Sequence, residues 1–241
     1  MENIKIKCAG CGESTFIGEW NEANVRIVKG KRAFAGGCPV CLGEFYEDDE
    51  NLYSINEALS NLRAVGSSIN NLTDDLIDEL DNFLGSRELC SDLRLYLMSL
   101  EKPVEKILYR GMNYPTNLLA VGKVVEEWHG STHWSKKIKI AKRFAFDPYI
   151  NDDLLKELSQ DEYLLRENNV SCASELFKPI VLRLKESKKA IDIHKITKKY
   201  KKLEKWRKEK EVTFIGSDFM IESIEYVESD KPYYLVDVTE C

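Results

Sequence analysis

The sequence predicts an α+β chain: a small β module stapled by metal, then a domain with helices first and a mostly antiparallel sheet after. Three observations predict it. Four of the seven cysteines fall in two tight pairs near the start. Apolar residues then recur at helical spacing between residues 52 and 100. From Pro179 onward they shorten into alternating and β-branched runs. A length of 241 residues with 43% hydrophobic content supports one sizeable core plus a small module.

Residues 1–45 carry short strand patterns. Ile4–Lys7 and Asn24–Val28 alternate, and Gly30-Lys31 marks a turn. Cys8-x2-Cys11 and Cys38-x2-Cys41 stand 26 residues apart. A thiolate pair at this spacing chelates one ion through a tight turn. Two such turns make the tetrahedral four-sulfur set that structural Zn²⁺ prefers. Gly10, Gly12, Gly37 and Gly43 suit those turns. The segment resembles a zinc ribbon, with Cys8, Cys11, Cys38 and Cys41 as ligands and no open position for catalysis. A module this small needs such a staple to fold by itself. Residues 46–51 read as an acidic linker and 52–241 as the second domain.

Cys90, Cys172 and Cys241 are scattered. An odd cysteine total without a secretion signal fits metal ligands and buried thiols rather than a disulfide framework. No apolar run reaches membrane-spanning length. The expectation is a soluble cytoplasmic protein with no membrane partner.

Leu76, Ile77, Leu80, Phe83 and Leu84 form one helical stripe, with Thr73 as N-cap and Gly85 as stop. Leu93, Leu95, Leu97, Met98 and Leu100 suggest a second helix, ended by Pro103. A strand, Ile107–Arg110, precedes Gly111, and Val121–Trp128 reads as another strand. Lys136–Phe146 reads as a helix with Ile140, Ala141 and Phe144 on one side, and residues 147–176 mix helix and loop. Ile180–Leu184, Glu211–Ile215, Phe219–Val227 and Tyr233–Val238 read as strands. Lys195–Lys208 lacks an apolar stripe wide enough for core packing and reads as an exposed loop or surface helix.

The net charge of −6 hides an asymmetry. Between Arg183 and Lys210, thirteen Lys/Arg stand against four Asp/Glu. Acidic residues gather at Glu47–Glu50 and from Asp74 to Asp81.

Glu209-Lys210-Glu211 closes the basic run and enters a strand. In an extended chain residues i and i+2 share a face, so the two carboxylates would stand side by side. Such a pair repels unless a cationic ligand or a catalytic task holds it. Two upstream segments supply companions: Tyr109-Arg110-Gly111 on a strand, and Gly130-Ser131-Thr132-His133-Trp134-Ser135 before a helix. In order, spacing and flanks these three segments resemble the mono-ADP-ribosyltransferases of the arginine, serine-threonine-serine, glutamate class, found among bacterial toxins and phage enzymes. The resemblance covers roughly residues 70–241. It implies a split antiparallel sheet preceded by helices, with NAD as co-substrate.

It also implies roles. Arg110 would bind an NAD phosphate with its fork of donors. Glu211 would hydrogen-bond the ribose and stabilise the oxocarbenium-like transition state of nicotinamide loss, comparable to that of glycoside hydrolysis. Glu209 would position or deprotonate the acceptor. A hydroxyl would orient Glu211. Here the chain departs from the family, which has Ser first in the middle motif. Counting back from Ala141 puts the triplet on His133-Trp134-Ser135; the other register is Ser131-Thr132-His133. The orienting group is therefore Ser131 or Ser135, with Thr132 and His133 as substitutes. Trp134 or Trp128 would wall the nicotinamide pocket.

The resemblance leaves two macromolecular acceptors open. Glu at the first carboxylate goes with protein arginine, whose guanidinium pairs well with it. The lysines before it, with Tyr200 and Trp206 interleaved, attract phosphates and point to RNA or DNA, or to an acidic inhibitor or antitoxin. NAD glycohydrolysis, or a zinc-ribbon binding protein with an inactive transferase fold, are the alternatives from other classes.

Overall fold

The computed structural model describes residues 5–7, 14–16, 21–28, 31–37, 40, 72–87, 89, 91–125, 131–147 and 150–241. Cys8, Cys11, Cys38, Cys41, Trp128 and the 46–51 linker lie outside the described residues.

The N-terminal part contributes two antiparallel ladders. β1 (Lys5–Lys7) pairs with β2 (Ser14–Phe16), and β3 (Asn21–Val28) pairs with β4 (Lys31–Gly37). Cys8 and Cys11 fall in sequence between β1 and β2, and Cys38 follows β4 directly.

The rest is built on one sheet. Its strands are β5 (Leu108–Pro115), β6 (Ser131–Ser135), β7 (Phe177–Leu184), β8 (Glu211–Ile215), β9 (Phe219–Val227) and β10 (Tyr233–Glu240), in the order β8-β6-β5-β7-β10-β9. Only β7 and β10 run parallel. β5 pairs with β7 along its whole length, from Leu108↔Leu184 to Pro115↔Phe177. It meets β6 at a single pair, Tyr109↔Ser135. The expected split sheet is thus one sheet in order, its two-stranded part β8-β6 joined to the other four strands by one residue pair. Beyond that pair the two parts separate, and a cleft lies there.

Helices cover both parts. α1 (Asp74–Ser86) is capped by Thr73, whose hydroxyl accepts from Leu76 N–H at 3.3 Å. Its expected stripe is buried throughout. The expected stop is not where the helix ends. Gly85 remains helical, and Arg87 takes the left-handed position, with φ 68 and its N–H on Phe83 O at 2.8 Å. α2 (Ser91–Ser99) adds Leu93, Leu97 and Met98 to the same core. α3 (Ile138–Ala145) lies over β5, where Gly111 leaves room for it. A Cβ there would fall 1.7 Å from Ala141 O. Residues 150–176 form α4 (Asp152–Ser159), α5 (Glu162–Glu167) and a 3-10 turn, Ala173–Leu176, as the mixed pattern suggested. The expected strand at Val121–Trp128 is reduced to a turn and one bridge, Val124↔Met220, in its described residues.

The basic run corrects the sequence expectation most. It folds as α6 (Ile193–Lys199) and a 3-10 helix, Lys201–Glu209, and it does pack into the core. Ile193, Ile196 and Leu203 are fully buried against α1 and α2. These three apolar residues are spread over two helix types, so no single period reveals them. The polar face docks as well. Lys202 pairs with Asp78. Lys205 and the Trp206 indole both reach Asp81, at 2.9 Å and 2.6 Å. Two lysines of the basic run are thus paired with the acidic stretch of α1.

Candidate active site

β6 delivers its side chains by alternation. Ser131, His133 and Ser135 line the cleft. Thr132 and Trp134 point the other way. Trp134 is 2% exposed, packs on Phe214 and Phe219, and gives its indole N–H to Thr132 Oγ1 at 2.9 Å. Trp134 nonetheless borders the cleft, while Thr132 is not among its lining residues and holds the Trp134 indole instead.

Glu209 and Glu211 converge, but not as neighbours on one extended strand. Glu209 ends the 3-10 helix, Lys210 sits in the left-handed region at φ 54, and Glu211 opens β8. The turn at Lys210, rather than strand alternation, brings both carboxylates to the cleft. The segment Ala190–Ile191 fixes β8 from its outer edge through an antiparallel bridge, Ile191↔Thr213.

Glu211 is buried and fully engaged. His133 Nδ1 lies 2.9 Å from Oε1, and Thr213 Oγ1 donates to Oε1 at 3.1 Å. Arg87 Nη1 approaches Oε2 at 3.3 Å. A carboxylate only accepts, so the Nδ1 proton belongs to the His133–Glu211 bond. The 3.1 Å approach of Arg87 Nη1 to Nδ1 is then a contact between two donors. Burial alone pushes the Glu211 carboxyl up, yet His133 and Arg87 outweigh it and hold it below the ordinary carboxylate value. Burial also holds His133 below the ordinary imidazole value, against the pull of Glu211. Arg87 adds a permanent positive charge beside this pair.

The side chains in contact with Glu211 are His133, one of the expected substitutes, and Thr213. Ser135 instead gives its hydroxyl proton to Glu209 O at 2.7 Å and accepts from Lys137 N–H at 3.2 Å, bracing the turn that carries Glu209. Ser131 remains a cleft-lining hydroxyl.

Glu209 faces two guanidinium groups, Arg143 at 3.5 Å and Arg87 at 3.9 Å. Its carboxyl is pushed up, first by burial and then by the Glu211 charge. Arg110 lines the same cleft from β5, beside Tyr109 and Gly111. The cleft measures about 900 Å³ and stays open to solvent. Sequence reading missed Arg87, Thr213 and Arg143. Arg87 carried no signal, because the glycine two positions earlier looked like the helix end.

No protein-family model matches the chain, and no curated protein does. Among solved structures it is similar to the Vis toxin, an ADP-ribosyltransferase from Vibrio splendidus, at 16% identity over 78% of this chain and 84% of that one, with a TM-score of 0.44. Exoenzyme S from Pseudomonas aeruginosa, solved with carba-NAD, overlaps at 12% identity over 76% and 80%, with a TM-score of 0.38. The ADP-ribosyltransferase HopU1 of Pseudomonas syringae overlaps at 14% identity over 68% and 65%, with a TM-score of 0.33. At this overlap the functional conclusion rests on the site's own residues.

Proposed function

We propose that the chain is an NAD-dependent mono-ADP-ribosyltransferase acting on a macromolecular acceptor. One observation carries the proposal: a buried, ionised Glu211, oriented by His133 and Thr213, stands beside a second carboxylate of raised pKa in one open cleft with Arg110. Loss of nicotinamide leaves positive charge on the ribose, and a fixed carboxylate in a site of low polarity stabilises it as it develops. Arg110 supplies cationic donors for the pyrophosphate. Glu209, with its higher proton affinity, takes the acceptor's proton.

The acceptor favoured is a protein arginine. In the cleft Glu209 already meets guanidinium groups from two elements, so a third finds the same geometry. Nucleic acid is the second reading, supported by the exposed Lys198, Lys201 and Lys208. Its support is smaller than the sequence implied. Lys202 and Lys205 are paired to α1, and Arg207 is tied to the Thr197 and Lys198 carbonyls.

Cys8, Cys11, Cys38 and Cys41 are assigned a structural Zn²⁺. The support is the sequence alone: two Cys-x2-Cys pairs offer four thiolates, the set that structural Zn²⁺ prefers. The zinc would hold the N-terminal module and take no part in the chemistry.

Incubation with labelled NAD and cell lysate, followed by protease or nuclease, tests the acceptor. Label lost to protease and kept through nuclease supports a protein acceptor. The reverse pattern supports nucleic acid, and free ADP-ribose alone means glycohydrolysis.

A further inference from the structure

One feature of the cleft is not required by cleavage of NAD: the enzyme's own guanidinium lies across both carboxylates. Arg87 Nη1 stands 3.3 Å from Glu211 Oε2 and Nη2 stands 3.9 Å from Glu209 Oε2. The two nitrogens of one fork are divided between the group proposed to hold the ribose cation and the group proposed to take the acceptor's proton. Arg143 reaches only Glu209, from a side chain 65% exposed. Arg87 arrives at the C-terminus of α1 in a left-handed turn, and its side chain is 36% exposed, so it sits at the cleft wall rather than locked in the core.

We propose that Arg87 is an internal acceptor, so that the enzyme transfers ADP-ribose to itself at this residue. The proposal rests on the transferase activity argued above. Its chemistry balances with NAD as the sole co-reactant. The bond from the nicotinamide ribose C1′ to the pyridinium nitrogen breaks, and its electron pair leaves with neutral nicotinamide. A nitrogen of the Arg87 fork bonds to C1′, and one of its protons passes to Glu209 and on to solvent. The guanidinium keeps its positive charge and gains an ADP-ribosyl group with two phosphates. The raised proton affinity of Glu209 suits it to accept that proton. Proximity favours the step, because reactant and catalytic groups belong to one chain. The modified side chain can no longer bridge Glu209 and Glu211, and its new group occupies the cleft. Self-transfer therefore switches the site off.

The purified full chain incubated with NAD tests this by peptide mass mapping, with nicotinamide release followed in parallel. The expected result is a single ADP-ribose on the peptide containing Arg87, formed at a rate constant independent of protein concentration and absent from Arg87→Lys. Mapping the wild-type adduct needs no variant to fold. Nicotinamide release with no adduct, or with the adduct at Arg143 or elsewhere, overturns self-transfer while leaving the transferase assignment standing. A rate that rises with protein concentration overturns transfer within one chain. Absence of both nicotinamide release and adduct overturns the transferase assignment, and self-transfer with it.

Discussion

His133 gives its Nδ1 proton to Glu211 across 2.9 Å, from the centre of a strand whose flanking residues, Thr132 and Trp134, face the core. In the proposed site the imidazole takes the place of the orienting hydroxyl that the resemblance implies. The longer side chain lets the donor come from mid-strand, and Phe83 packs against the ring at 5.2 Å between centroids.

Removing that donor disorients a buried charge. A hydrogen bond to a charged group contributes about 1.5–3 kcal/mol, so His133→Ala should lower the turnover of NAD by about 10–100-fold. His133→Ser restores a short donor and should recover part of the loss. Steady-state nicotinamide release by the three proteins checks this.

The pH profile follows from the two carboxyls. Glu211 is held below the ordinary carboxylate value and stays ionised through the weakly acid range. Glu209 is pushed above that value, so the acid limb of transfer belongs to Glu209. Activity should fall as pH drops through a value above 4.5, the ordinary glutamate value, and the limb should be absent from whatever transfer Glu209→Gln retains. Rate against pH for both proteins measures it.

Gly111 is required by close approach. A methyl group there would strike the Ala141 carbonyl and the Ala145 nitrogen, both backbone atoms that cannot turn aside. Gly111→Ala must lift α3 from β5, at a cost in the upper part of the range of about 1–3 kcal/mol for overpacking. Chemical denaturation should show the lower midpoint.

Asp237 ties β10 to β7 through Arg183, with Arg183 Nη2 donating to Oδ2 at 2.9 Å and Lys185 at 2.8 Å. Its carboxyl is lowered to about 2, first by the Arg183 hydrogen bond. A depressed folded value means stability that is present above the unfolded value of about 3.9 and is lost as pH falls through the folded one. Asp237→Asn should remove about 2 kcal/mol at neutral pH and flatten the acid limb of stability between about pH 4 and 2. Denaturation midpoints across that range test it.

Much of the fold was legible because its signals are local. The α1 stripe, its Thr73 cap and the strands from Phe177 onward each repeat a period within a few residues. The site was half legible. Arg110, Glu209 and Glu211 stand out as a spaced set of charges, and the structure brings all three to the cleft. Arg87 and Thr213 did not stand out. Arg87 depends on a left-handed residue that no helix-stop rule favours. Thr213 looks like any strand residue until Glu211 is seen two positions before it on the same face. The Lys195–Lys208 segment misled because its lysines mask two buried aliphatics, Ile196 and Leu203, and because its charge partner, Asp78-to-Asp81, lies more than a hundred residues away.

The zinc assignment is tested by metal analysis of the purified chain, which should hold about one zinc ion. Cys38→Ser should release it, and heat denaturation should then show an N-terminal module unfolding at lower temperature.

The central claim is that Glu211 makes the nicotinamide bond breakable. The most direct measurement is nicotinamide release from NAD by the wild type and by Glu211→Gln, which keeps size and removes charge. Loss of one preorganised electrostatic group costs about 10²–10³ in rate, and the variant should fall at least that far. Equal rates in the two proteins, or no release from the wild type, would contradict it.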